Sequence, residues 1–154
     1  MPNTELTTMV MVQDPNTKQV LVQNRTKSWK GLSFPGGHVE RNESFYACAV
    51  RELREETGLT VSDLTPCGTI HWNNTDTQEK YLVFLYKTST FSGELITEME
   101  EGQHRWMDID ALQEALRQEC TNSFDRYLPM FFGGPYSEVL GPWNKQAEEP
   151  LQYF

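Results

Sequence analysis

The chain has 154 residues, 38% of them apolar and 23% charged, with 22 acidic against 13 basic side chains and a formal charge of -9 at pH 7. That is the length of one ordinary domain, able to bury about two thirds of the surface its unfolded form exposes, and no run approaches the roughly 18 apolar residues of a membrane span. The negative charge argues against binding a nucleic-acid duplex on any surface that is not locally basic. Three widely spaced cysteines, Cys48, Cys67 and Cys120, argue against a disulfide framework or a zinc finger, and they read as reduced thiols.

The N-terminus, MPNTELTTMVMVQD, has no basic segment followed by an apolar one, so cytoplasm is the default compartment. Residues 6–13, LTTMVMVQ, and 19–25, QVLVQNR, are β-branched runs on either side of DPNTK, whose Asp-Pro-Asn chemistry favours a turn; together they predict a hairpin. A loop FPGGHVERNE follows. Pro35 sets an extended approach, and Gly36 and Gly37 allow the backbone to come close to a ligand. A carbonyl in such a loop can point at a metal.

Residues 44–57 predict a helix with Tyr46, Ala49, Val50 and Leu53 as its apolar stripe and Gly58 as the residue that ends it. Glu52, Glu55 and Glu56 share one face, because at 100° per residue Glu55 lies about 60° to one side of Glu52 and Glu56 about 40° to the other. The stripe centres about 100° away, so the carboxylates sit beside the buried face, where a helix edge can form a cleft wall. On its own the cluster also fits a solvated charged face, with Arg51 and Glu55 as an i,i+4 pair, since like charges at this spacing disfavour a helix by only about 0.2 to 0.5 kcal/mol each. Hard divalent cations favour oxygen donors, and three glutamates with a nearby carbonyl supply them.

Further along, 68–74 and 80–88 predict a second strand pair, and 104–109 a short strand. The segment EMEEGQHRW places Glu98, Glu100 and Glu101 just before that strand. Residues 109–119 predict a helix capped by Asp110 with Leu112, Ala115 and Leu116 inward, and 123–132 is ambiguous because Pro129 interrupts it. Strands mixed with two or three helices indicate an α/β or α+β sandwich. The chain divides into a domain at 1–132 and a Gly- and Pro-rich tail at 133–154, whose Val139, Leu140, Trp143, Leu151, Tyr153 and Phe154 predict packing on the domain or on a partner.

Gly37, Glu43, Arg51, Glu52, Leu53, Glu55, Glu56, Gly58 and Leu59, at their spacings across residues 37–59, resemble a complete Nudix box. At average residue frequencies such a match arises by chance with a probability on the order of 10⁻⁷ or less, so chance does not supply it. The wider pattern over residues 5–132 resembles the MutT-like branch more loosely. The resemblance implies a single-domain α/β/α sandwich with a mixed sheet, and hydrolysis of a nucleoside diphosphate linked to another moiety with Mg²⁺ or Mn²⁺. It implies Glu52, Glu55, Glu56 and the Gly37 carbonyl as metal ligands, Glu43 and Arg51 as a structural ion pair, and Glu101, with Glu100 behind it, as a distal metal ligand or general base.

The same resemblance points to Trp72 as a stacking surface for a nucleobase, with core packing as the equal alternative, and to Asn122 and Ser123 near a purine edge. Ser33 and Phe34 are candidates to line that pocket, and Arg25 and Lys30 to touch phosphates. His38, His71 and His104 are expected to be ordinary satisfied or exposed histidines rather than bases. The expected substrate is a nucleoside triphosphate, oxidised purines such as 8-oxo-dGTP included, cleaved to the monophosphate and pyrophosphate. ADP-ribose, dinucleoside polyphosphates, nucleotide sugars and a non-catalytic nucleotide-binding module are the alternatives, and the protein is expected to be a monomer or a homodimer.

Overall fold

A computed structural model describes residues 1–100, 102–120 and 122–154. The described residues form twelve strands and three helices: β1 (Thr4–Val12), β2 (Val20–Arg25), β3 (Gly31–Ser33), β4 (Gly36–His38), α1 (Phe45–Thr57), β5 (Thr60–Ser62), β6 (Thr65–Asn74), β7 (Lys80–Thr88), β8 (Thr90–Ser92), β9 (Glu98–Met99), β10 (Gly102–Met107), α2 (Ile109–Gln118), α3 (Phe124–Tyr127), β11 (Glu138–Trp143) and β12 (Gln152–Tyr153). A 3-10 segment, Leu128–Phe132, follows α3 with Pro129 in its first turn, which settles the ambiguity of that stretch.

The main sheet has the order β12-β11-β6-β7-β1-β4 and is mixed: β1 runs parallel to β7, β11 parallel to β6, and the other neighbours are antiparallel. A second sheet, β3-β2-β10-β9, and a two-stranded β5-β8 pair complete the strands. The predicted 68–74 and 80–88 pair forms as β6 and β7. The predicted hairpin does not. Asp14 Oδ1 accepts from the N–H groups of Asn16 and Thr17 and closes the turn, and Gln13 bridges Val20. Beyond that bridge the two strands part into different sheets.

Burial explains the parting. Both runs are apolar at consecutive positions, so both faces of each strand need cover, which an isolated hairpin cannot provide. Val10 and Val12 pack with Ala49 and Leu53 of α1, while Met11 packs with Leu112 and Leu116 of α2 and Phe124 and Tyr127 of α3. In β2 the alternation repeats, with Leu21 on the α1 side and Val20 and Val22 on the other. Helices therefore cover the strands from two sides, giving a single-domain α/β sandwich with a mixed sheet.

Asp108, not Asp110, occupies the N-cap position of α2, and its side chain makes no capping bond; Asp110 lies in the first turn, where its charge suits the helix dipole. In α1 the N-cap is Ser44, whose Oγ accepts from Ala47 N at 2.9 Å, and Gly58 ends the helix at φ 79°. The tail forms β11 and β12, with Val139 fully buried in the core that includes Ile70 of β6. No helix among the described residues is long and apolar enough to cross a membrane.

Candidate active site

The site begins with the rotation of α1. Its buried residues are Cys48, Ala49, Leu53 and Thr57, while Tyr46 is exposed and Val50 only half-buried. The apolar stripe is thus turned toward the carboxylates relative to the one expected. On a helical wheel its centre falls about 40° from Glu56, about 80° from Glu52 and about 140° from Glu55. The side chains separate accordingly: Glu52, 15% exposed, and half-buried Glu56 turn inward, whereas Glu55 is 59% exposed.

Arg51 ties the cluster to the preceding loop. Its Nε and Nη2 donate to the two carboxylate oxygens of Glu43 at 2.7 and 2.9 Å, and Nη2 also donates to the His38 carbonyl at 3.0 Å. Nη1 donates to Glu52 at 2.9 Å and Glu55 at 3.0 Å. The guanidinium draws the Glu43 carboxyl down to about 2, with the Glu40 N–H adding to the effect, and the Arg51 pKa is itself raised, chiefly by Glu43. This bidentate pair locks loop to helix, the arrangement for which a planar guanidinium is suited.

Gly37, in β4 opposite Thr8 of β1, faces the helix so closely that a Cβ would overlap the Glu52 carboxylate. Its carbonyl accepts a weak bond from Cys48 Sγ at 3.6 Å, and burial pushes that thiol up to about 11, keeping it protonated. The local donors are oxygens, two inward carboxylates and a carbonyl, with space beside Glu52 that only glycine leaves. That set fits a hard divalent cation. Among the described residues no three acidic, imidazole or thiol groups already converge on one point, and Arg51 Nη1 bonds to both Glu52 and Glu55.

A cavity of about 490 Å³ opens from this corner. Gly37, Glu52 and Glu56 line it together with Trp72, Asn122, Ser33, Phe34 and Arg25. Asn122 is oriented by donating from Nδ2 to the Leu32 carbonyl at 3.1 Å while Oδ1 accepts from Phe124 N. Ser33 is buried, and among the described residues its Oγ has no hydrogen-bond partner. Trp72 stands half-buried in β6, its ring edge-on to Tyr127, and Gly141 of β11 passes against it so closely that a Cβ would overlap the ring.

Other expected residues lie elsewhere. Glu55 is outside the cavity lining, on the rim beside Arg51, and Ser123 lines a neighbouring cavity instead. Glu101 lies outside the described residues. Glu100 pairs with Lys27 at 2.7 Å, both side chains well exposed, and Glu98 accepts from Gln103 at 3.4 Å. Lys30 is exposed and absent from the cavity lining. His104 is buried with Nδ1 2.9 Å from the Ile96 carbonyl and His71 meets Lys80 Nζ at 3.0 Å, whereas exposed His38, 3.7 Å from Glu5, does line the cavity. Trp29, Tyr81, Lys27 and Tyr127 also line the cavity; no motif marks them, since they come from a loop, a strand and a helix far apart in the chain.

A family model, the NUDIX domain, matches residues 4–128. The chain belongs to the Nudix family. A zebrafish (Danio rerio) relative, an oxidized purine nucleoside triphosphate hydrolase, is 32% identical over 111 residues, covering 70% of this chain and 69% of its own length. An Arabidopsis thaliana relative, mRNA-decapping enzyme subunit 2, is 27% identical over 139 residues, covering 81% of this chain. This chain's match spans only 34% of that protein's length. Among solved structures, the MutT protein of Bacillus halodurans superposes with a TM-score of 0.78 at 21% identity, covering 97% of both chains, which shows the shared Nudix fold. At that coverage the superposition extends into β11, beyond the end of the family match.

Proposed function

We propose that this Nudix hydrolase cleaves a purine nucleoside triphosphate, oxidised purines included, to the monophosphate and pyrophosphate. One observation carries the reading: a single cavity joins the acidic corner of Gly37, Glu52 and Glu56 to a wall of Trp72, Asn122 and Ser33. A polyphosphate and a heterocycle need just such different surroundings within one molecule's length. The zebrafish relative's printed activity supports the same class.

Glu52, Glu56 and the Gly37 carbonyl would hold Mg²⁺ or Mn²⁺, with Glu55 joining from the rim and Glu101 as the distal ligand or base, and such a cation supplies charge neutralisation and a more acidic water. The chain's own residues do the rest. Arg51 and Glu43 fix the loop against α1, so Gly37 and Glu52 keep their spacing. Arg25 and Lys27 offer positive charge on the cavity wall, where an anionic phosphate chain would otherwise meet only carboxylates. Trp72 presents an aromatic surface to a purine, and Asn122, held by the Leu32 carbonyl, keeps a second amide N–H and carbonyl lone-pair capacity for the purine edge. Ser33 Oγ, buried at this wall, gains a partner when a polar ring edge arrives.

The test is a product assay with dGTP, 8-oxo-dGTP and ADP-ribose in Mg²⁺. Monophosphate and pyrophosphate from the triphosphates, with turnover of Glu56→Gln lowered by about 10²-fold, is the expected result. Preferential cleavage of ADP-ribose, or release of orthophosphate, overturns the substrate assignment. Mg²⁺ is expected to raise the melting temperature of the native chain but not that of a Glu52→Gln, Glu56→Gln double variant, a readout independent of turnover.

A further inference from the structure

The two faces of the main sheet are covered unequally. On one, Ile70, Val83 and Val139 join the core that holds Leu112 of α2 and Phe124 of α3. On the other, α1 reaches β1 and β7: Thr8 Oγ1 lies 3.4 Å from Cys48 Sγ, Phe45 stacks on Phe84 with ring centroids 3.7 Å apart, and Tyr46 stands edge-on to Tyr86. Past Phe84 this second face continues across β6, β11 and β12. In register it carries the row Leu6, Leu82, His71, Leu140 and Gln152, and beside that row Phe84, Thr69, Glu138 and Phe154.

Leu6, Leu82, Phe84 and Leu140 are half-buried and Phe154 is 60% exposed, and among the described residues none of the five packs in either hydrophobic core. Strand alternation puts them all on the side away from α2 and α3. A contiguous apolar face that folding leaves out of the core marks an interaction surface.

Charge indicates what covers it. Lys80 and Glu138 lie on this face to either side of His71: Lys80 is one strand away in β7, level with Asn73, and Glu138 one strand away in β11, level with Thr69. Asn73 and Thr69 are each two residues from His71, so the two charges sit equally far from it in opposite diagonal directions. A twofold axis in the plane of the face, passing through His71 at right angles to the line between them, sets each Lys80 opposite the Glu138 of a second copy. An isologous interface requires that self-complementarity, whereas a foreign partner does not. Lys80 Nζ also meets His71 Nε2 at 3.0 Å and Asn73 Oδ1 at 3.1 Å, which holds the ammonium on the face instead of leaving it to trail in solvent.

We propose that this face is the interface of a homodimer, sheet packed on sheet about a twofold axis at His71. Trp72 and Tyr81, next in the chain to His71 and Lys80, point to the opposite side and line the cavity. Each copy thus braces the two strands that carry the other's aromatic wall.

Sedimentation velocity of the full chain tests it, with a monomer–dimer equilibrium of roughly micromolar Kd as the expected result. Lys80→Glu and Glu138→Lys each make both charge contacts repulsive and are expected to weaken self-association by about 10-fold or more. Mixed in equal amounts, the two variants meet with opposite charges at both contacts, and the mixture is expected to associate as tightly as the parent. No rearrangement within one chain mimics that recovery. Leu140→Arg, which leaves both charges in place, is expected to abolish association. If Lys80→Glu melts early through loss of its bonds to His71 and Asn73, Glu138→Lys and Leu140→Arg carry the test alone. A parent chain that stays monomeric at about 100 µM overturns the proposal. So does a mixture of folded variants no tighter than its components, or a Leu140→Arg chain that still dimerises.

Discussion

Arg51 concentrates more of the site's electrostatics than any glutamate beside it. One guanidinium serves Glu43, Glu52, Glu55 and the His38 carbonyl. Because the folded-state pKa of Glu43 falls to about 2 from an ordinary 4.5, its contribution to stability is fully present above pH 4.5 and is lost as the pH drops toward 2. Glu43→Gln is therefore expected to lower the denaturation midpoint at pH 7, and the gap from the parent should close by pH 2 in a pH series of urea melts. At Gly37 the expectation is steric: Gly37→Ala forces the Glu52 carboxylate aside and should weaken Mn²⁺ binding, read by paramagnetic resonance, by about 10-fold or more. Unchanged Mn²⁺ affinity would remove Gly37 from the cation's cradle.

Among elements, α1 and β11 make the more informative pair. α1 was legible in its extent: a helix over 44–57 ended by Gly58 was expected, Ser44 proves to be its cap rather than its first residue, and the Glu52, Glu55, Glu56 spacing follows from the helical repeat. What the spacing left open was the helix's rotation. Cys48 and Thr57 are buried while Tyr46 is not, a choice made by the sheet beneath rather than by local hydrophobicity, and it separates inward Glu52 and Glu56 from rim-bound Glu55. β11 was not legible as a strand, because EVLGPW carries glycine and proline at positions that look like a break. Its partner, β6, is more than sixty residues away, and the gap tolerated at Gly141 is visible only once Trp72 lies across it. The same nonlocality defeated the hairpin, where β1 found a parallel partner in β7 instead of β2. Removing residues 136–154 uncovers the edge of β6, and such a truncated chain is expected to melt several degrees lower and to aggregate, followed by light scattering.

At the scale of the whole molecule the -9 charge sets how a polyphosphate arrives. With no divalent cation present, protein and ligand repel, so the association rate of a non-hydrolysable triphosphate analogue is expected to rise as salt increases from about 10 to 150 mM, by severalfold in stopped-flow fluorescence. With Mg²⁺ saturating, that dependence should flatten. A rate that falls with salt in the absence of Mg²⁺ would mean that Arg25 and Lys27 dominate the approach. The two cavities adjoin and share lining from β6, β7 and Asn122, and residues near both ends of the chain, Asn3 and Leu151 among them, line the second.

The guanidinium wedged between Glu52 and Glu55 has one more effect. Any ion entering there competes with a cation the chain already carries, held by charge-assisted hydrogen bonds. Sodium or potassium would exchange one positive charge for another at a loss of geometry, whereas a doubly charged ion brings extra charge. On the proposed cation assignment, the helix would carry its own filter against the abundant monovalent ions of salt solution, built from the Arg51 guanidinium.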